Sequence, residues 1–317
     1  MALYLDPKND LTFKRVFGEH PDLLIDFLNS VMPLSPDRWI EELEYLSAEQ
    51  VPDVAGKKNS LVDVKCKDKS GRVFIIEMQM LWTDDFENRI VFNASKAYVR
   101  QLDKSQSYHL LQPVYTLAIL NENFNSDDER FYHHYSIVNR EHTDEVIEGL
   151  QFVLVELKKF KSEKWSERKI ATLWLRFLKE VDERMTVLPA ELAENEQISR
   201  AAELCMEGAF SPEELATYEA YWDWVRIEKT IREGTEARVR AEGKTERDQL
   251  KTERDQFKTE RDQLETERDQ LKAQNDQLIK KQDNIALKMI KKGMAVEVVC
   301  EFTGLSREQI EELIKTG

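Results

Sequence analysis

Cysteine is scarce in this chain. Its three cysteines, Cys66, Cys205 and Cys300, are far apart, and no CxxC pair occurs. That pattern excludes a disulfide framework and a cysteine-held zinc site. No apolar run approaches the ~18 residues a membrane span requires. The opening segment MALYLDPKND lacks the basic-then-apolar pattern of a secretory leader, so the cytoplasm is the expected location and no membrane partner is expected. GxGxxG, GxxxxGK[ST] and GxSxG are all missing, which leaves dinucleotide, P-loop and serine-hydrolase chemistry without support. Positive charge is in deficit: 46 Lys and Arg stand against 61 Asp and Glu, for a formal net charge of −15. Such a chain does not hold phosphate backbones by bulk attraction, and a nucleic-acid role needs a local basic face or bound cations.

What is present suffices for a core plus a second module: 317 residues, 41% of them hydrophobic. Residues 1–160 interleave helix and strand patterns and read as an α/β domain. NDLTFKRVF predicts a short helix capped by Asn9 or Asp10, and PDLLIDFLNSVM a second that Pro21 starts. Strands are expected around WIEELEYL, across the hairpin LVDVKCKDKSGRVFIIEMQM, and at PVYTLAIL, FYHHYSIV and FVLVELKKF. His133 and His134, adjacent on a presumed strand, point to opposite faces and do not chelate one ion. Residues 161–240 are helical in pattern, and Trp165, Trp174, Trp222 and Trp224 are expected to pack those helices. Residues 241–281 repeat TERDQLK with a period of seven, so that Leu250, Phe257, Leu264, Leu271 and Leu278 form one stripe. A coiled coil needs a second apolar position per heptad, and Arg or Glu fills it here, so a long solvated helix with a weak seam is expected. Residues 282–317 read as helix, glycine turn, helix. Gly293 closes one helix, Ser306 and Gln309 make a capping box, and Leu305 and Ile310 a hydrophobic staple. The last helix offers Arg307 but also Glu308, Glu311 and Glu312, which favours a protein-contact module over a DNA reader.

The hairpin carries the chemistry. A three-residue loop, Lys69-Ser70-Gly71, with Gly71 left-handed, sets a register in which opposed residue numbers sum to 140. One face then carries only apolar residues, Val62, Val64 and Cys66 against Met78, Ile76 and Phe74. The other opposes Asp63 to Glu77, Leu61 to Gln79 and Lys65 to Ile75. Like charges directly across a strand pair destabilise it by a few tenths to ~1 kcal/mol, unless a cation lies between them. Two carboxylates on rigid strands suit Mg²⁺, which keeps several waters, polarises phosphate and activates an attacking water. Gln79, on the same face, can orient water or phosphate but takes no proton, so any base lies elsewhere. In the helix expected from DDFENRIVFNASKAYVRQL, Arg89, Asn93, Lys96 and Arg100 share one face, as a phosphate clamp would. Asp10, Lys14 and Arg15 are candidates to join from the N-terminal helix.

The pattern D-x13-E-x-Q resembles the PD-(D/E)XK nuclease superfamily in the variant that carries Gln for the final Lys. DPKNDLTFKRVFG, LLIDFLNSVM, FIIEMQ, NRIVFNASKAY and VLVELKKF together resemble the Rpn family, described as recombination-promoting nucleases or transposases, and KMIKKGMAVEVVCEFTGLSREQIEEL resembles its tail segment. The resemblance implies a restriction-endonuclease-like core, a mixed sheet flanked by helices, over residues 1–160. It implies a Mg²⁺-dependent DNA endonuclease linked to recombination, transposition or phage defence. In it Asp63 and Glu77 are metal ligands, Gln79 stands at the Lys position, and Asp10 supports. Two alternatives stay open: a catalytically degenerate DNA-binding accessory protein, and an oligomeric scaffold built on the repeat helix. Self-association is expected through that helix and the C-terminal module.

Overall fold

The structure, a computed structural model, describes residues 3–50, 60–124, 127–162 and 168–316. It divides into two units, Met1–Arg232 and Glu233–Gly317.

In the first unit the N-terminal helix α1 (Asp10–Phe13) is capped by Asn9, whose side chain accepts the Leu11 N–H, and runs on as a π-helical turn, Lys14–Gly18. Helix α2 (Pro21–Val31) starts on Pro21 and buries Leu23, Leu24, Phe27 and Leu28. Strands follow as β1 (Leu43–Tyr45), β2 (Glu49–Gln50), β3 (Ser60–Leu61), β4 (Val64–Asp68) and β5 (Val73–Gln79). Helix α3 (Phe86–Val99) crosses to β6 (Val114–Leu120), after which come β7 (Tyr132–Val138) and β8 (Val146–Glu156). The WIEELEYL strand shrinks to the three residues of β1, and the last strand starts at Val146, well ahead of the Phe152 expected to open it. Helices α4 (Lys169–Glu180), α5 (Ala190–Ala193), α6 (Glu196–Leu204) and α7 (Pro212–Lys291) complete the helical region.

Six strands form one mixed sheet in the order β1-β4-β5-β6-β8-β7. The hairpin register is the expected one: Val64 opposes Ile76, Lys65 Ile75 and Cys66 Phe74, and Gly71 has φ 86°. β5, β6 and β8 run parallel, and such strands need long crossovers, here made by helix α3 between the first two. Alternation along β5 splits the core. Phe74, Ile76 and Met78 face the larger core, which α2, α4 and α6 cover with Phe27, Trp174, Phe177 and Ile198. Val73 and Ile75 face α3 through Ala94 and Ala97. The sheet is thus flanked by helices on both faces. Trp174 is fully buried and Trp222 partly so, whereas Trp224 is 54% exposed and does not pack the helices as expected. Trp165 lies outside the described residues. His133 and His134 diverge as expected, His133 onto buried Glu156 and His134 onto Gln151.

In the second unit the heptad stripe lies on α7, and Leu250, Phe257, Leu264, Leu271 and Leu278 are each more than half exposed. The C-terminal end of α7 packs with α8 (Val296–Thr303) and α9 (Arg307–Thr316) around Ala286, Val299 and Ile310. Gly293 and Gly304 adopt the left-handed conformations their turns need. The capping box forms in both directions between Ser306 and Gln309. No helix among the described residues is long and apolar enough to cross a membrane.

Candidate active site

The row of side chains facing α3 starts apolar, at Val73 and Ile75, and turns polar at Glu77 and Gln79. These two project where β5 passes the first turns of α3, and residues four apart on that helix meet them. Asn93, fully buried, donates from Nδ2 to Glu77 Oε1 at 3.0 Å. Arg89 donates to Gln79 Oε1 and lies 3.8 Å from Glu77 Oε2. The Gln79 amide nitrogen is itself tied to the Leu81 carbonyl.

Asp63 departs from the expected position. The β4–β5 ladder stops at the Val64–Ile76 pair, and Asp63 sits in a bend just before it. Its Oδ2 accepts the Met78 N–H at 2.6 Å, a donor that a continued ladder would direct at a backbone carbonyl. Leu61, expected opposite Gln79, pairs with Glu49 of β2 instead. The carboxylate therefore replaces a backbone acceptor, and the strand opens where a ligand would need room. Asp10, Asp63, Glu77, Gln79 and Arg89 line one cavity of about 250 Å³, with Tyr221 and Trp224 from α7 on its wall.

Both hairpin carboxyls hold protons more tightly than usual. Burial pushes Asp63 up to about 7, Glu77 and Asp10 add to the rise, and the Met78 N–H and Lys14 oppose it. Glu77 is raised too, chiefly by burial, with Asn93 and Arg89 pulling the other way. Asn93 Oδ1 is buried without a hydrogen-bond partner. Two desolvated carboxylates lining one cavity make a site that favours a cation. Among the described residues no three His, Cys, Asp or Glu side chains cluster closely enough to cage an ion. The donor set fits a divalent cation that takes one or two carboxylates and keeps its waters.

The other expected residues divide. Lys14 stays near the site through its ion pair with Asp10 at 2.8 Å. Arg15 does not join, because it pairs with Glu214 and stacks on Phe210. Asn93 cannot touch phosphate as a clamp residue, since it is fully buried and spends its amide on Glu77; its role is to orient that carboxylate. Lys96 and Arg100 lie further along α3, outside the cavity lining, and their charges act on Lys65. Burial first, and then Arg100 and Lys96, pull the Lys65 ammonium below the usual lysine range. Lys65, Tyr221 and Trp224 escaped the sequence reading. The strand pairing had already put Lys65 on the Asp63 face, whereas the two aromatics reach the site only by a tertiary contact from a helix more than 130 residues downstream in sequence.

A family model described as PD-(D/E)XK nuclease family transposase matches residues 7–230. A second, described as the Rpn/YhgA-like nuclease family C-terminal HTH domain, matches residues 280–315. Neither a curated protein nor a solved structure matches the chain.

Proposed function

Because the chain belongs to the PD-(D/E)XK nuclease family transposases and carries an Rpn/YhgA-like HTH domain, we propose that it is a DNA endonuclease that uses Mg²⁺ held by Asp63 and Glu77. The observation that carries this reading is the pair of proton-hungry carboxylates, Glu77 buried and Asp63 partly so, that line one cavity. Bound between them, the ion would polarise a phosphate and lower the pKa of the attacking water. The chain's own residues set the geometry. The Met78 N–H fixes the Asp63 carboxylate, and Asn93 fixes that of Glu77. Arg89 supplies positive charge on the cavity wall where the phosphate's negative charge builds up. Gln79, held between Arg89 and the Leu81 carbonyl, presents a rigid amide to the phosphate or the water. Lys65, Lys96 and Arg100 extend the basic surface along which the backbone is held.

The C-terminal module serves protein contacts. The Arg307 guanidinium is already paired with Glu297 and Glu311, and Glu308 and Glu312 remain on the same short helix. Self-association runs through the exposed heptad stripe. The role in the cell is in recombination, transposition or phage defence.

Nicking of a supercoiled plasmid in Mg²⁺ and in EDTA tests the reading, with Asp63→Ala and Glu77→Ala alongside. Mg²⁺-dependent nicking by the wild type, lost in both variants, is expected. A second reading, DNA binding without cleavage, draws on Gln79, which puts no amine at the family's Lys position. It would be upheld by DNA retention in a gel shift with no nicking in any metal.

A further inference from the structure

Helix α7 runs along the carboxylate cleft and lends Tyr221 and Trp224 to its lining. On one side Tyr218 fastens it to the N-terminal segment: its hydroxyl accepts the Asp6 N–H at 2.8 Å, and its carbonyl accepts from Asn9 Nδ2 at 3.2 Å. On the other side Arg232 donates to both Glu122 oxygens at 2.8 Å and to the Trp82 carbonyl at 3.0 Å. Glu122 also accepts the Trp82 N–H, so the latch and the loop after β5 are one network. Val225, 7% exposed, anchors the middle in the large core. The outer anchors are 14 residues apart, a span of ~21 Å at 1.5 Å per residue. Between them Tyr221 and Trp224 reach the cavity that holds Asp63 and Glu77.

The cavity, about 250 Å³, falls just below the ~300 Å³ lower limit for small-molecule sites, which suits one phosphodiester unit and not a whole duplex. An intact duplex has to bring its second strand past the helix that lines the cleft. Trp222 is packed against the core, but the Trp224 indole is 54% exposed at the cavity and touches Tyr221 at a ring separation of 6.0 Å. A flat, exposed indole beside a phosphate site is a platform for a nucleobase, and every base offers a π face to it.

We propose that this site takes an unpaired strand of DNA, with one base stacked on Trp224, its phosphate at the divalent cation that Asp63 and Glu77 would hold, and α7 excluding the complementary strand. The inference rests on the proposed function for the cation that receives the phosphate, but not on hydrolysis. The preferred substrates are then flaps, gaps, bubbles and frayed ends rather than continuous duplex.

The test is fluorescence anisotropy of a labelled oligo(dT) and of a blunt hairpin duplex, titrated with the full chain in Ca²⁺, as wild type, Trp224→Ala and Trp224→Phe. Cleavage of a bubble substrate and of relaxed linear duplex is followed in parallel in Mg²⁺. Single strand should bind tighter than duplex. Trp224→Ala should lose roughly 5- to 150-fold of that affinity, and Trp224→Phe should recover most of it. The bubble should be cut faster than duplex. Trp224 is exposed, and equal thermal midpoints for the three proteins establish that the fold is intact. Equal affinity for single strand and duplex, or no loss in Trp224→Ala, overturns the inference even if the chain cuts DNA. Trp224-dependent single-strand binding with no cleavage of any DNA upholds it while removing the hydrolytic reading.

Discussion

Replacing Asp63 by Asn should make the metal-free protein more stable at neutral pH while ending metal binding. The folded environment raises the Asp63 carboxyl from 3.8 to about 7, mainly by burial. A raised acid stabilises the fold fully only below its unfolded pKa, and that stabilisation is lost as pH rises through the folded value. For Asp63 the window is therefore pH ~4 to ~7, and above it the fold carries the whole cost of a buried charge. Three pKa units correspond to a ceiling of about 4 kcal/mol at 1.36 kcal/mol each. Asparagine keeps an oxygen for the Met78 N–H, so the hydrogen bond that ends the β4–β5 ladder survives. What disappears is the charge and its repulsion with Glu77 and Asp10.

Urea unfolding in EDTA between pH 4.5 and 8, followed by tryptophan fluorescence, reads this directly. All six tryptophans lie before residue 233, so the signal reports the first unit alone. The wild type should lose stability across that range. Asp63→Asn should lose less, keeping the part due to the other raised carboxyls, Glu77 and Asp6, and at pH 8 should exceed the wild type by about 1–4 kcal/mol. Mg²⁺ at a hundredfold excess over its Kd should then stabilise the wild type by ~2.7 kcal/mol and the variant hardly at all. An Asn variant that is weaker than wild type at pH 8, with an unchanged pH slope, would refute the claim that this carboxylate is held against its own preference for a cation.

Other substitutions probe separate links. Asn93→Ala frees Glu77 from the amide that orients it and should raise the Mg²⁺ concentration for half-maximal nicking roughly 10- to 100-fold, read from metal titrations of the nicking rate. Gly71→Ala forces a left-handed alanine whose Cβ meets Gln112 Cγ at 3.2 Å, and should cost about 1–2 kcal/mol in urea unfolding with little change in the site. Replacing Leu250, Leu264 and Leu278 together by Asn should turn a self-associated species into monomer in sedimentation velocity while leaving the thermal midpoint of the first unit unchanged.

Local patterning made the hairpin legible. The all-apolar face of Val62, Val64 and Cys66 left one acceptable register, and Gly71 marked the turn that sets it. The same alternation put Glu77 and Gln79 on one strand face, and helical spacing put Arg89 and Asn93 on one helix face; that the two faces meet is a tertiary fact. Asp63 was harder, because a strand pattern does not tell where a ladder ends. Its carboxylate competes for the Met78 N–H and wins, and that contest is decided by the final geometry of both strands. Asn93 misled for a related reason: sharing a face with Arg89 says nothing of depth, and the sheet buries one while the cavity exposes the other. Nothing local links Tyr221, Trp224 or Arg232 to a hairpin so distant in sequence. Their placement depends on where α7 enters the core at Tyr218 and Val225, so the cleft's floor can be read from short-range periodicity but its roof cannot. The roof decides what kind of DNA can reach the floor, which makes the least legible part of the site the part that selects the substrate.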